Sequence, residues 1–251
     1  MQTMHACVGG GIQHFELPDP SDCVLPGVPW GAFDELSTPA YWAGQAWQHT
    51  MLGNFQDHSL GRTLAEELAA CLLGGYGMPA EVGLNAYQRI RSLGLLDRIP
   101  DASILEIELS RPMMIKGRQW TYRFPRQKAR YLAGSLQGLS DVDQCADDVS
   151  LRNQLTQLPG IGLKTASWIV RNLRRSNAVA IIDVHILRAC RQMGVFDAEL
   201  SPERDYITLE NRFLIFADAL GIPPSTLDGL MWNYMRSSIP RKTQLSLFDL
   251  P

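Results

Sequence analysis

Lys164 stands two residues after a glycine in the run Leu158-Pro159-Gly160-Ile161-Gly162-Leu163-Lys164-Thr165-Ala166, between two stretches of helical pattern. A lysine in the first turn of a helix meets the positive end of the dipole, which disfavours its ammonium form and lowers its pKa. A neutral amine can attack a sugar carbon and form a Schiff base, whereas a solvated lysine with a pKa near ~10.4 is almost wholly protonated at neutral pH. Pro159 ends the preceding helix, and Gly160 and Gly162 permit a hairpin whose backbone N–H groups approach a phosphate closely. A nucleotide-binding P-loop is excluded by spacing, because it requires glycine where this chain has Leu158 and Leu163. At this point a lysine that pairs with a DNA phosphate, or is merely exposed, remains the plainer alternative.

Downstream, the apolar crossover Asn177-Ala178-Val179-Ala180-Ile181-Ile182 ends in Asp183-Val184-His185. An aspartate entering a helix after an apolar run is most simply an N-cap. The 19 residues from Lys164 to Asp183 are enough for a helix to run out and the chain to return. Asp183 is therefore expected to face the same cleft as Lys164 and to cap its own helix as well.

The elements that must position these residues are mostly helical. Periodicity predicts helices over 41–52, 60–73, 79–93, 125–136, 149–158, 162–174, 184–193, 206–220 and 225–236. Residues 1–38 read as an irregular N-terminal arm, rich in Gly and Pro, with Gly11 to Leu17 as a short candidate strand. The expected architecture is mainly α: a domain over 39–240 in two helical lobes, with the hairpin at the interlobe cleft, and a tail over 241–251. Gly74, Gly75 and Gly77 mark a tight loop from which Tyr76 and Met78 project.

Across 251 residues, 45% hydrophobic and 20% charged is the composition of an ordinary folded protein. With no apolar run near the ~20 residues that span a bilayer and no secretory leader pattern, a cytoplasmic protein with no membrane partner is expected. The five cysteines show no pairing or zinc spacing. A net charge of −3 gives no support to a nucleic-acid partner, but the charge is unevenly placed. Arg111, Lys116, Arg118, Arg123, Arg126, Lys128 and Arg130 follow one another without a carboxylate, and Arg171, Arg174, Arg175, Arg188 and Arg191 form a second concentration. Such a run is either a solvated face or a phosphate-binding surface.

The hairpin L-P-G-I-G-x-K-T-A followed by I-D-V-H-I-L-R resembles the helix-hairpin-helix DNA glycosylases with a Gly/Pro-rich loop and an essential aspartate, especially their 8-oxoguanine-removing branch. Tyr122 to Tyr131 resembles the basic aromatic stretch ahead of the hairpin in the compact prokaryotic members. Leu227 to Trp232 resembles their carboxyl-terminal helix, and the likeness spans about residues 60 to 236. The resemblance implies that Lys164 attacks C1′ of the damaged nucleotide and that Asp183 stabilises the developing positive sugar. Base loss, a Schiff base and β-elimination would follow. It further implies that Gly160, Gly162, Thr165, His185 and Arg188 bind DNA backbone, that Asp228 and Trp232 contact the extruded base, and that a monovalent cation rests on the carbonyls of Thr156, Leu158 and Ile161. The four-cysteine cluster of endonuclease III is absent, so neither an iron–sulfur centre nor another cofactor is expected.

Base removal from duplex DNA requires the nucleotide to be flipped out, with a side chain filling the gap. Tyr76 or Met78 is the candidate wedge. Trp168, one turn after Lys164, and Trp232, one turn after Asp228, are candidates to stack on the base; for each of these four residues simple packing is the alternative. In the tail, Gln244-Leu245-Ser246-Leu247-Phe248 resembles the peptide by which bacterial replication and repair proteins bind the sliding clamp, through Gln244, Leu245, Leu247 and Phe248. The expected protein is thus a monomeric, nucleoid-associated base-excision-repair enzyme acting on double-stranded DNA. Two other readings stay open: a glycosylase for another damaged or modified base, and a non-catalytic helix-hairpin-helix DNA-binding protein.

Overall fold

The computed structural model describes residues 1–53, 59–75 and 77–238. The chain divides into two units, one formed by 1–58 with 177–251 and the other by 59–176.

The first unit opens with an antiparallel hairpin of β1 (Gln2–Val8) and β2 (Gly11–Leu17), in register Val8 to Gly11. Gly9 and Gly10 form its two-residue turn at φ 60° and 83°, the left-handed pair that such a turn demands. A second short hairpin joins β3 (Cys23–Leu25) to β4 (Val28–Pro29), and α1 (Pro39–Met51) follows, capped by Thr38 Oγ1 on the Tyr41 amide at 3.0 Å. The expected irregular arm is therefore corrected: only its Gly11–Leu17 strand was anticipated. Its other half, Gln2 to Val8, has few strong β-formers and is held by pairing and by packing on α1. Gly44 leaves room for Met4, since a Cβ there would lie 2.4 Å from its Sδ, and Phe15 stacks on Trp47.

In the second unit come α2 (Leu64–Leu73), α3 (Ala80–Ser92), α4 (Ala102–Ser110), β5 (Met113–Ile115), β6 (Arg118–Trp120), α5 (Pro125–Gly138), α6 (Asp148–Leu155) and α7 (Leu163–Arg174). Periodicity missed α4 because Ile104 and Ile107, exposed, blur the stripe that Leu105 and Leu109 bury, although Asp101 caps the helix on the Ser103 amide at 2.8 Å. The β5–β6 hairpin lies inside the basic run and turns on Lys116 and Gly117, both at positive φ.

A buried carboxylate ties α2 to α7. Glu67 Oε2 accepts the Leu60 and Gly61 amides at 2.8 and 2.7 Å, and Oε1 accepts Asn172 Nδ2 at 2.7 Å. Glu67 has no exposed surface, so its removal strands three N–H donors and the Cys71 thiol, which donates to Oε1 at 3.5 Å. Glu67→Ala is expected to cost about 3 kcal/mol or more, read as a lowered urea midpoint, with a smaller loss for Glu67→Gln.

The chain then returns to the first unit with α8 (Val184–Gln192), α9 (Pro202–Ala219) and α10 (Pro224–Ser238). Asp205 kinks α9 at φ −118°, ψ 23°, which is why the helical pattern reads only from Tyr206. Trp42, Phe213, Phe216, Leu227 and Met231 are core residues of this unit. No helix among the described residues is long and apolar enough to cross a membrane.

Candidate active site

In the second unit the hairpin is a tight turn with its proline and glycine where geometry needs them. The Ile161 amide donates to the Leu158 carbonyl at 3.2 Å, Pro159 takes the position where φ is fixed, and Gly160 has φ +76°. Leu158 and Ile161 bury their side chains and anchor the turn, while Gly162 is exposed at the N-cap of α7. Having no side chain, Gly162 places no cap bond on the first-turn amides of Leu163, Lys164 and Thr165, which suits them to an anion. Lys164 and Thr165 are half-buried.

Helix α5 is the ledge on which this turn rests. A Cβ on Gly160 would lie 2.4 Å from Cδ2 of Tyr131, one on Gly134 would lie 3.1 Å from Cγ of Pro159, and one on Gly138 would lie 2.7 Å from Cδ2 of Leu158. Ser135 Oγ donates to the Pro159 carbonyl at 2.7 Å. These contacts went unpredicted; their signal was Gly134 and Gly138 one turn apart, after Tyr131. Gly160→Ala would add left-handed strain to a clash with a ring that cannot swing clear at its Cβ. A loss of about 2 kcal/mol or more is expected in thermal unfolding. Tyr131→Ala in the same chain should restore only the part due to the ring, since its Cβ, 2.9 Å from the added methyl, stays.

The end of α2 is also closed from α5. Lys128 Nζ donates to the Leu72 carbonyl at 2.7 Å, and the hydroxyl of Tyr122, just upstream, to that of Leu73 at 2.7 Å. Burial, and after it the charge of Lys164, hold the Lys128 amine below the usual lysine range, so the two lysines lie within electrostatic reach of each other. The loop that follows α2 turns on Gly75 and Gly77 at φ +68° and +69°, and the Met78 amide donates to the Gly75 carbonyl at 3.0 Å. Met78 is half-buried, and Tyr76 lies outside the described residues. Trp168 packs its ring edge on this loop, with Cη2 3.3 Å from where a Cβ on Gly74 would sit.

In the first unit, Asp183 is the N-cap of α8. Its Oδ1 accepts the His185 and Ile186 amides at 2.8 and 3.0 Å. Both bonds fall on one oxygen, so capping leaves the second for another partner. The crossover that delivers Asp183 has no sheet to pair with, and α9 supplies the partners instead. Glu210 Oε1 accepts the Ala180 amide at 3.1 Å, while the Tyr206 hydroxyl accepts the Ile182 amide at 3.3 Å and donates to the Ala180 carbonyl at 2.8 Å. Neither residue was anticipated, because a buried carboxylate inside a helical pattern does not announce its partner.

Helix α8, with half-buried His185 and Arg188, packs against α10, which carries Asp228 and Trp232. Asp228 is buried, 2% exposed, and Trp232 is half-buried. Beside them Tyr41, Trp42 and Tyr234 meet edge to face, and the Tyr234 hydroxyl bonds to Gln45. Burial, with the neighbouring Tyr234, pushes the Tyr41 hydroxyl up to about 12. Among the described residues no group of three or more His, Cys, Asp or Glu side chains is placed to hold a metal. Gln244, Leu245, Leu247 and Phe248 lie outside the described residues.

A proline-glycine turn that joins two helices packed on each other, α6 and α7, is the arrangement of a helix-hairpin-helix motif. The profile of one such family, the 8-oxoguanine DNA glycosylases, matches residues 50–222, and the chain belongs to that family. An 8-oxoguanine DNA glycosylase/AP lyase of Metallosphaera sedula is 36% identical over 116 residues, which are 44% of this chain and 57% of that relative's length. One of Saccharolobus islandicus is 31% identical over 177 residues, 66% of this chain and 79% of its own. The fold agrees with that of the Methanocaldococcus jannaschii 8-oxoguanine DNA glycosylase, at TM-score 0.57 and 23% identity over 81% of this chain and 90% of that one. It also agrees with endonuclease III trapped in a covalent DNA intermediate, at TM-score 0.58 and 18% identity over 80% and 88% of the two chains.

Proposed function

We propose that this protein is a bifunctional DNA glycosylase and abasic-site lyase of base excision repair, acting on 8-oxoguanine in duplex DNA. The observation that carries the reading is Lys164 in the first turn of α7, directly behind a hairpin whose amides are open to a phosphate. With its amine unprotonated, Lys164 attacks C1′; the C1′–Nζ bond forms as the glycosidic bond breaks and the base leaves with that electron pair, taking up a proton. A proton passes from Nζ to O4′ as the C1′–O4′ bond opens, which gives the protonated imine and a 4′-hydroxyl. Removal of a C2′ proton then expels the phosphate at C3′ and breaks the strand.

The Asp183 carboxylate stabilises the positive charge that develops on the sugar. The amides around Gly160, Gly162 and Thr165, with His185 and Arg188, hold the backbone, and Asp228 and Trp232 receive the base. Trp168 is already packed on the loop that carries Tyr76 and Met78, which favours bracing the wedge over stacking on the base. A monovalent cation would be held by the carbonyls of Thr156, Leu158 and Ile161, since neutral oxygens without a carboxylate suit a single charge. The Leu158 carbonyl would serve both the ion and its 3.2 Å bond to Ile161.

The test is a panel of duplexes carrying 8-oxoguanine, uracil, thymine glycol or alkylated purines, scored separately for base release and strand cleavage. Release confined to another lesion would reassign the substrate, and inactivity on all of them would leave a DNA-binding protein. We also propose that residues 244–248 bind a bacterial sliding clamp and that the enzyme works as a monomer on the cytoplasmic nucleoid. Equal clamp retention by full-length protein and by a chain ending at Thr243 would remove the clamp assignment.

A further inference from the structure

The basic run of residues 111–131 holds a feature that the catalytic reading does not use. A concavity of about 770 Å³ is lined by Arg123, Phe124, Arg126, Gln127, Arg130 and Tyr131, all in the second unit. Other guanidinium groups of this unit are committed by the fold, among them Arg89 to three carbonyls, Arg91 to Glu66 and Arg174 to Asp148. By contrast, Arg123, Arg126 and Arg130 are exposed, and among the described residues no carboxylate pairs with any of them. Three like charges around one hollow repel one another until an anion enters. Arg123 lies over the ring of Phe124, 4.9 Å from its centroid, which restrains that guanidinium.

The flanks of the hollow identify the anion. On one side Tyr131 abuts Gly160 of the hairpin; on the other Arg123 Nη1 comes within 4.0 Å of a Cβ position on Gly77, in the loop of the candidate wedge. Arg126 and Arg130 lie one turn apart, about 6 Å along the helix. That distance is close to two of the steps of about 3.4 Å at which the phosphates of one strand recur along the duplex axis. Exposed guanidinium groups in such a row suit a chain that runs across them, and each can grip a phosphate with two parallel bonds.

We propose that this hollow is a second phosphodiester-binding subsite, gripping duplex DNA between the hairpin and the wedge loop. It rests on the reading that the chain acts on duplex DNA, and it adds residues for which the hairpin motif has no role. Because such contacts ignore sequence, they act on undamaged DNA too, and would serve the search for lesions.

The test measures affinity for an undamaged duplex between 50 and 200 mM KCl, with full-length protein and its R123Q/R126Q/R130Q variant, each shown by circular dichroism to be folded. Each phosphate contact adds about 0.9 to the slope of log K against log salt, so the variant should lose about 2.7 if all three arginines grip and about 1.8 if two do. The R123K/R126K/R130K variant keeps the charge and should keep the slope. A methylphosphonate at a gripped phosphate should weaken wild-type binding and leave the glutamine variant unaffected. An unchanged slope in the glutamine variant, or an equal loss in the lysine variant, overturns the proposal. Failure of the wild-type chain to cross-link to abasic DNA under borohydride would instead remove the catalytic reading and leave the salt measurement standing.

Discussion

Lys164→Gln is expected to abolish borohydride cross-linking to damaged DNA and to lower strand cleavage by on the order of 10^3 or more, the scale on which loss of a covalent nucleophile is felt. Duplex binding should survive, because the hairpin amides belong to the backbone and Lys164 shapes neither the turn nor its ledge on α5. The measurement also has an internal rival. Lys128 lies within electrostatic reach of Lys164 and is held to the Leu72 carbonyl. A cross-link that persists in Lys164→Gln and vanishes when Lys128→Gln is added would move the nucleophile to Lys128.

Asp183→Asn separates the two duties assigned to that residue. Asparagine caps a helix about as well as aspartate, so the bonds to the His185 and Ile186 amides can persist and unfolding should shift by no more than a few tenths of a kcal/mol. The negative charge is gone, and base release under single-turnover conditions should fall by roughly 10^2 to 10^4. Asp183→Ala should show the same catalytic loss plus about 1 kcal/mol of instability from the missing cap. If the asparagine variant releases base at the wild-type rate, the aspartate is a cap and nothing more.

What the sequence made legible was whatever depended on local chemistry. Leu158-Pro159-Gly160-Ile161 could be read as a turn because proline and glycine each satisfy a backbone requirement that few other residues meet, and Asp183 could be read as a cap for a similar reason. The long helices were visible through their apolar period. The arm was not, because the strand Gln2 to Val8 depends on Gly44 of α1 accepting Met4, a contact made over forty residues of separation. The same holds at the site. Tyr206 and Glu210 hold the crossover ahead of Asp183, and Tyr131 supports Gly160, through side chains whose own segments say only that they are helical. Local rules located the reactive groups; the supports that fix them come from distant elements.

The first unit draws on both ends of the chain, 1–58 and 177–251, with the hairpin-bearing unit between them. During synthesis this sets an order. Residues 59–176 are contiguous, so their contacts can form as soon as they emerge; β1, β2 and α1 can pack on one another early, but the face that α1 turns to α10 must wait for that helix. At about 5–20 residues per second that wait is on the order of ten seconds, with the edges of a young β-hairpin unshielded. The unit that carries Lys164 is therefore made ready first, and the unit that carries Asp183 is completed only after α8 to α10 have emerged.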